Sequence, residues 1–189
     1  MITRTLSVLL FPVLLCVGVM LFASTAMAQR DHLTPQEVDL VKEAQMLDKR
    51  IDVFIKAADR RVFVLKGGTA ATAPNQKQFK KDAEKWGELP TGSRAELVGD
   101  IARILDEAIT NIDDVSSRDE RNPLIGKSLR KLATAVNTIM TDLKPLSTEA
   151  KSDAEIASFE LLNEDANSIL EAVMKLPPEV EKKAKAKNN

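Results

Sequence analysis

Residues 93–117 read SRAELVGDIARILDEAITNIDDVSS, and this stretch decides the fold class. Ser93 and Glu96 have the spacing of a capping box, which marks the start of a helix. Apolar residues then recur at spacings of three and four, the period of one face of an α-helix. The members of this stripe are Val98, Ile101, Leu105, Ala108, Ile112 and Val115, widened by Leu97, Ile104 and Ile109. A face this wide predicts a central helix that contacts two neighbours.

Three further blocks show the same periodicity. The block at 34–66 begins with the capping box Thr34-Pro35-Gln36-Glu37 and is predicted to be one helix that ends before Gly67 and Gly68. The block at 123–144 is expected to stop at Pro145, and the last extends from about 148 to 176. Strand patterns are nearly absent, so the chain is predicted to be all-α.

The predicted architecture is four long antiparallel helices in an up-down-up-down bundle with heptad-like, coiled-coil packing. The bundle domain spans 29–176, and a long crossover at 67–92 contains one short helix. The blocks alternate between basic and acidic net charge along the chain. If sequential helices are neighbours, basic surfaces then lie beside acidic ones.

The chain begins with Arg4, an apolar run to Phe22 and a small-x-small end at Ala26-Met27-Ala28. This pattern predicts a signal peptide over 1–28, cleaved after Ala28, and a periplasmic or secreted protein. The alternative is an uncleaved membrane anchor, because the apolar run approaches the length that spans a bilayer. After cleavage we expect no stable membrane span. The lone cysteine, Cys16, is then lost, so the mature chain is cysteine-free and has no disulfide.

Two further features of the sequence are its C-terminal segment and its overall charge. Residues 177–189 are Lys-rich and are predicted to be a disordered tail. The chain has 27 Lys+Arg against 28 Asp+Glu, a formal net charge of −1. This balance gives no reason to expect nucleic acid as a partner.

No pattern of residues indicates catalysis, a cofactor or a metal. His32 is the single histidine, and no Cys-x-x-Cys-His run or paired Glu-x-x-His motif is present for haem or a di-iron centre. One histidine and no cysteine in the mature chain are too few ligands for a zinc site, and the acidic stretch at 111–120 lacks the spacing of a calcium-binding loop. We therefore expect no catalytic residue, no metal and no cofactor.

Two features remain as candidate interaction sites. Arg60 and Arg61 must in part border the apolar stripe, so they either line a site for an anionic ligand or a partner's carboxylates, or pair with the acidic helices at 93–117 and 148–176. In the crossover, Phe79 and Trp86 share one helical face. This face is predicted to act as a mobile lid that docks Trp86 reversibly, or as a permanently packed short helix.

Four short runs carry a resemblance to a protein family. They lie at 47–50, 58–61, 94–97 and 104–109 and read LDKR, ADRR, RAEL and ILDEAI. The chain resembles, over most of its mature length, a set of exported, all-helical bacterial hypothetical proteins of unknown function. The resemblance implies export and a helical architecture, and it carries over no functional residue.

The start of the first block is similar to a second family. Residues 33–37, Leu-Thr-Pro-Gln-Glu, resemble the Leu-Thr-x-x-Gln motif of periplasmic helical stress chaperones. Glu37 stands where that motif has glutamine, and no second copy occurs. A helix-capping box explains the same residues.

These observations predict a non-catalytic exported bundle that acts as a protein-interaction or binding module. Its expected partner is another envelope protein or a second copy of itself. The alternatives are a chaperone-like bundle or one that binds a small ligand, with an enzyme as the weakest hypothesis. An enzyme would need buried carboxylates that converge without basic partners.

Overall fold

The computed structural model describes residues 31–177, which form six α-helices and no β-strand. The all-α prediction is therefore confirmed for this part of the chain. The predicted signal peptide, with its cleavage site after Ala28, and the tail from residue 178 onward lie outside the described residues. The helices are α1 (Pro35–Glu43), α2 (Leu47–Leu65), α3 (Gln76–Trp86), α4 (Arg94–Arg118), α5 (Pro123–Thr148) and α6 (Asp153–Met174).

The first predicted helix is two helices, which corrects the sequence prediction. The chain leaves the helical conformation between Glu43 and Leu47, and the Arg50 side chain donates to the Ala44 carbonyl at this break. In one straight helix Glu37 and Arg61 would be roughly 36 Å apart. Their side chains instead form an ion pair of 2.9 Å, so α1 folds back along α2.

Two other helix boundaries also differ from the prediction. The helix α5 continues through Pro145 to Thr148, because a proline this close to the helix end removes only one hydrogen bond and Leu146 still packs on the core. The helix α6 begins at Asp153 because the Ser152 side chain accepts a hydrogen bond from the Glu155 amide and caps it.

The relative directions of the helices follow from paired residues. Arg50 contacts Asn111 and Arg61 contacts Asp100, so α2 and α4 are antiparallel. Contacts of α2 with Lys127 and Asp142 place α2 and α5 parallel. By the same reasoning α4 is parallel to α6, and α6 is antiparallel to α5.

The packing order is not the sequential one that the charge pattern favoured. Helices α4 and α5 each pack against α2 and α6, they approach each other less closely, and the backbones of α2 and α6 make no close approach. The two acidic helices, α4 and α6, are therefore neighbours. The range 153–174 contains six acidic residues and no Lys or Arg, so this seam concentrates negative charge. The free energy gained by burying apolar faces between the helices outweighs the small electrostatic benefit that sequential packing, with alternating charge, would have given.

A continuous apolar core lies between α2, α4, α5 and α6. The apolar stripes of the blocks at 93–117 and 123–144 predict five core residues, and all five are confirmed, since each is at most 1% exposed: Ile101, Leu105, Leu132, Val136 and Ile139. The predicted central position of α4 is confirmed by its packing on α2 and α6. Among residues 31–177, none of the helices combines the length and apolarity needed to cross a membrane.

The acidic seam perturbs Asp165 on α6. Partial burial, with the negative charges of Asp106 and Glu164, raises the pKa of Asp165 from 3.8 to about 6. A folded-state pKa above the unfolded value means that the folded protein binds the proton more tightly. Stability is therefore expected to decrease as the pH rises from about 4 to about 7.

Replacing Asp165 by asparagine is expected to remove this penalty. The free energy of unfolding should rise by about 1 kcal/mol at pH 7, a value reduced for solvent screening of the half-exposed side chain, and much less at pH 4. Urea titrations at both pH values measure the difference. The control is Glu160→Gln, an exposed carboxylate on the same helix. An equal gain at both pH values for Asp165→Asn would show that the seam does not titrate as described.

Candidate functional site

The crossover between α2 and α4 forms one wall of a pocket. Its helix α3 is capped by the Asn75 side chain, which accepts from the Gln78 amide. The backbone of α3 packs against α1 and makes no close approach to that of α2. A gap therefore remains between α2 and α3, and side chains of both helices face it.

This gap, which we name the crossover pocket, has a volume of about 400 Å³. Its aromatic lining comes from Phe63 on α2 and from Phe79 and Trp86 on α3, and all three side chains are only half-buried. The rings of Phe63 and Phe79 are tilted, with centroids 6.3 Å apart. Volumes of this order and a mostly apolar lining are typical of small-molecule sites. The rest of the lining is Lys56, Asp59, Arg60, Ala73, Pro74, Asn75, Gln78, Asp82, Ala83, Gly87 and Leu89.

Arg60 fixes one end of the pocket. One terminal guanidinium nitrogen donates to Glu37 at 2.7 Å and to the Trp86 carbonyl at 2.9 Å. The other donates to the Gly87 carbonyl at 3.0 Å and to the Glu88 carbonyl. The guanidinium also lies 5.8 Å from the centroid of the Trp86 ring, within the range of a cation–π interaction. Burial lowers the pKa of Arg60, and the Glu37 carboxylate opposes this effect.

Arg61 points away from the pocket, into the core. Its side chain is 1% exposed and donates to both carboxylate oxygens of Glu37, at 3.1 Å and 2.9 Å. It also donates to the Ala57 carbonyl at 2.7 Å, and its Nε lies 3.7 Å from Asp100. The contact with Asp100 on α4 is of the predicted kind, but the main partner of both arginines is Glu37 on α1, which lies in the same sequence block as they do. These contacts leave neither arginine available for the alternative, an arginine-lined site for an anionic ligand.

The remaining charges of the pocket are Lys56, Asp59 and Asp82. Lys56 pairs with Asp82 across the gap at 3.4 Å. Asp59 forms no salt bridge with any residue in 31–177. Although its side chain is exposed, partial desolvation raises the pKa of Asp59, the positive charge of Lys56 opposes this effect, and the negative charge of Asp142 adds to it. Because Lys56 pairs with Asp82 and Arg60 with Glu37, Asp59 is the one charged residue of the lining that makes no ion pair.

A second cavity, of about 490 Å³, lies between α5 and α6. Six of its ten lining residues carry an amide, hydroxyl or ammonium group, and three of its four apolar residues, Leu143, Phe159 and Leu162, are buried in the core. Unlike the crossover pocket, it has no half-buried aromatic ring in its lining. Within the described part of the chain, no three His, Cys, Asp or Glu side chains are grouped so that they could hold a metal ion.

The structure brings together three of the four candidate residues. Phe79, Trp86 and Arg60 line one pocket, whereas Arg61 lies in the core. Sequence reasoning missed Phe63 and Asp59 as pocket residues. Both lie one helical turn or less from Arg60 on α2, so the helical period placed them near it once that face was known to meet the crossover.

No protein-family model, curated protein or solved structure matches the chain. The candidate site therefore depends on the geometry and chemistry described above.

Gly87 determines how the crossover leaves α3. Its backbone has φ 69° and ψ −167°, a region open essentially to glycine alone. A Cβ there would lie 2.9 Å from the Gln36 side chain on α1. Gly87→Ala is therefore expected to strain the backbone by about 1–3 kcal/mol and to release residues 86–88 from Arg60.

Limited trypsin digestion measures this release. Cleavage at Lys77, Lys80 or Lys81 should be faster in Gly87→Ala, and a soluble quencher should reach Trp86 more readily. Gly99→Ala is the control, because a Cβ at that helical position meets only an ordinary contact, and it should leave cleavage unchanged. Unchanged cleavage in Gly87→Ala would contradict the role given to Gly87.

The structure shows the crossover in its docked form. Reversible opening of the predicted lid stays a prediction, and the same digestion of the unaltered protein tests it. A resistant crossover with a shielded Trp86 would favour the permanently packed alternative.

Proposed function

We propose that the protein is a non-catalytic binding module whose site is the crossover pocket, and that it binds a small, mostly apolar ligand. The observation that carries the proposal is a set of three aromatic rings around an open volume of about 400 Å³. Half-buried rings that face one cavity leave apolar surface in contact with water, and a ligand that covers it gains free energy.

The construction of the pocket supports the proposal. Arg60 holds residues 86–88 with hydrogen bonds to three consecutive carbonyls, which fixes the position of Trp86. Polar contacts of Arg60 thus hold the wall in place, in addition to the contact between the Phe63 and Phe79 rings. A pre-formed site loses less conformational entropy on binding than one that must first be ordered.

The non-catalytic part of the proposal rests on how acids are paired. The buried carboxylates among residues 31–177 are Glu37, Asp48 and Asp100, and each contacts a Lys or Arg side chain. The hydrogen bond from Lys127 holds the pKa of Asp48 below its usual value. Each of these acids is thus engaged by a basic side chain, as in a structural ion-pair network. Turnover of any substrate in a broad hydrolase panel would contradict this part.

A ligand screen against a pocket-filled variant tests the proposal. Ala83 lines the pocket, so Ala83→Phe should occupy its volume, whereas Ala157 is exposed on α6 and Ala157→Phe is the matched control. Small aromatic and aliphatic compounds should stabilise the unaltered protein and the control by about 2.7 kcal/mol at about 100 Kd, measured as a rise in Tm. They should not stabilise Ala83→Phe. Equal stabilisation of all three proteins, or of none, would overturn the proposal.

The proposal keeps the predicted cellular context. It includes export to the periplasm or beyond, and the intact mass of the exported protein, expected to begin at Gln29, tests it. A protein partner or self-association remains a second prediction. The large exposed apolar side chains available for such a partner are Met46, Ile156, Leu161 and Met174. On α6, positions 156 and 161 point about 140° apart, so they do not share one contact face.

A further inference from the structure

We propose that the ligand of the crossover pocket is an organic cation, an ammonium group carried on an apolar or aromatic body. The inference depends on the proposed function, because it names the class of ligand for that same site. The inference depends on which charged residues of the pocket already form an ion pair and which one does not.

The two basic residues of the pocket are unsuited to bind an anion. All four N–H groups on the terminal nitrogens of Arg60 are used, by Glu37 and by three backbone carbonyls. Lys56 lies 3.4 Å from Asp82 across the gap. An anionic ligand would have to break one of these contacts, and each broken contact leaves a polar group without its partner.

The carboxylate of Asp59 is the charge in the pocket that is available to pair with a ligand. It lies on the α2 side of the pocket, where it makes no ion pair and where partial desolvation disfavours its ionised form and raises its pKa. A bound ammonium would stabilise that ionised form directly, because an opposite charge at short range favours ionisation.

The aromatic lining suits the same ligand. Phe63, Phe79 and Trp86 present ring surface to the cavity, and ring faces attract cations as well as apolar groups. Trp86 already makes one such interaction with the Arg60 guanidinium. A neutral apolar molecule would use the rings but not Asp59, whereas an ammonium with an apolar body uses both.

Three probes of nearly equal size and different charge test the inference: 3-phenylpropylammonium, 3-phenylpropan-1-ol and 4-phenylbutanoate. Trp86 is the single tryptophan of the chain, so a titration of its fluorescence reports on this pocket alone. The ammonium should bind about tenfold more tightly than the alcohol, and the carboxylate should bind weakest.

The variant Asp59→Asn should reduce the affinity for the ammonium to that for the alcohol. Its matched control is Asp52→Asn, a solvent-accessible carboxylate on the same helix that pairs with Lys131 outside the pocket. This control should keep the tenfold preference. Preservation of the preference in Asp59→Asn would overturn the role of Asp59.

The outcomes separate this inference from the proposed function. If the alcohol and the ammonium shift Trp86 fluorescence with equal affinity, or the carboxylate binds more tightly, the pocket still binds ligands and the cation inference is wrong. If no probe affects Trp86, both are wrong.

Discussion

Replacing Arg61 by methionine is expected to destabilise the protein by about 3–5 kcal/mol, the loss typical of breaking a buried ion pair. Methionine fills a similar volume but leaves Glu37 with one arginine instead of two, and it removes the donors to the Ala57 and His32 carbonyls. The same change should loosen α1, because Glu37 holds this helix to α2. Urea unfolding followed by circular dichroism measures the loss.

Two further variants of arginine make this result specific. Arg61→Lys keeps the charge but lacks the planar guanidinium that binds Glu37 in a bidentate pair and reaches the backbone carbonyls as well, so an intermediate loss is expected. Arg118→Met removes an exposed arginine that pairs only with Asp114 one turn away, and it should change stability by less than about 0.5 kcal/mol. A loss below about 1 kcal/mol for Arg61→Met would mean that this network does not hold α1 in place.

The second large effect is expected for Leu105→Ala, at about 2–5 kcal/mol. Leu105 is 0% exposed and belongs to the face of α4 that packs in the core. Removing its side chain loses apolar burial and leaves a cavity among helices that are held on both sides. Leu161→Ala on α6 is the control, because Leu161 is 43% exposed. A loss well under 1 kcal/mol for Leu105→Ala would show that α4 is not central.

The helical periodicity of the sequence predicted those features of the fold that depend on the local spacing of residues. The apolar stripe of α4 and its capping box at Ser93 and Glu96 were both readable, and both occur in the structure. Periodicity could not find the break after Glu43, because Leu40 and Leu47 stay on a heptad spacing across it. The break is set by a long-range contact, the ion pairs of Glu37 with Arg60 and Arg61.

The order of the helices shows the same limit. Alternating block charges favoured sequential neighbours, yet exposed charge pairs contribute too little to outweigh the packing of apolar faces. The acidic helices α4 and α6 are neighbours as a result, and the raised pKa of Asp165 is one consequence.

The candidate site was predicted in part. The shared face of Phe79 and Trp86 on α3 was visible from their spacing, since it follows from a local helix. That Arg60 would bind the carbonyls of residues 86–88, and that Asp59 would face the gap, depended on how the crossover folds back on α2. The types of side chain alone do not indicate that the crossover folds back on α2, so the pocket itself was not predictable.

The central claim is that the crossover pocket is the binding site, and one measurement tests it most directly. In ¹H–¹⁵N NMR spectra recorded during a titration with 3-phenylpropylammonium, the largest shifts should occur at the Trp86 indole and at the amides of Phe63, Phe79 and Gly87. Shifts concentrated instead at Asn137, Met140 and Asn163, which line the cavity between α5 and α6, would contradict the claim. A spectrum that does not change would contradict it as well.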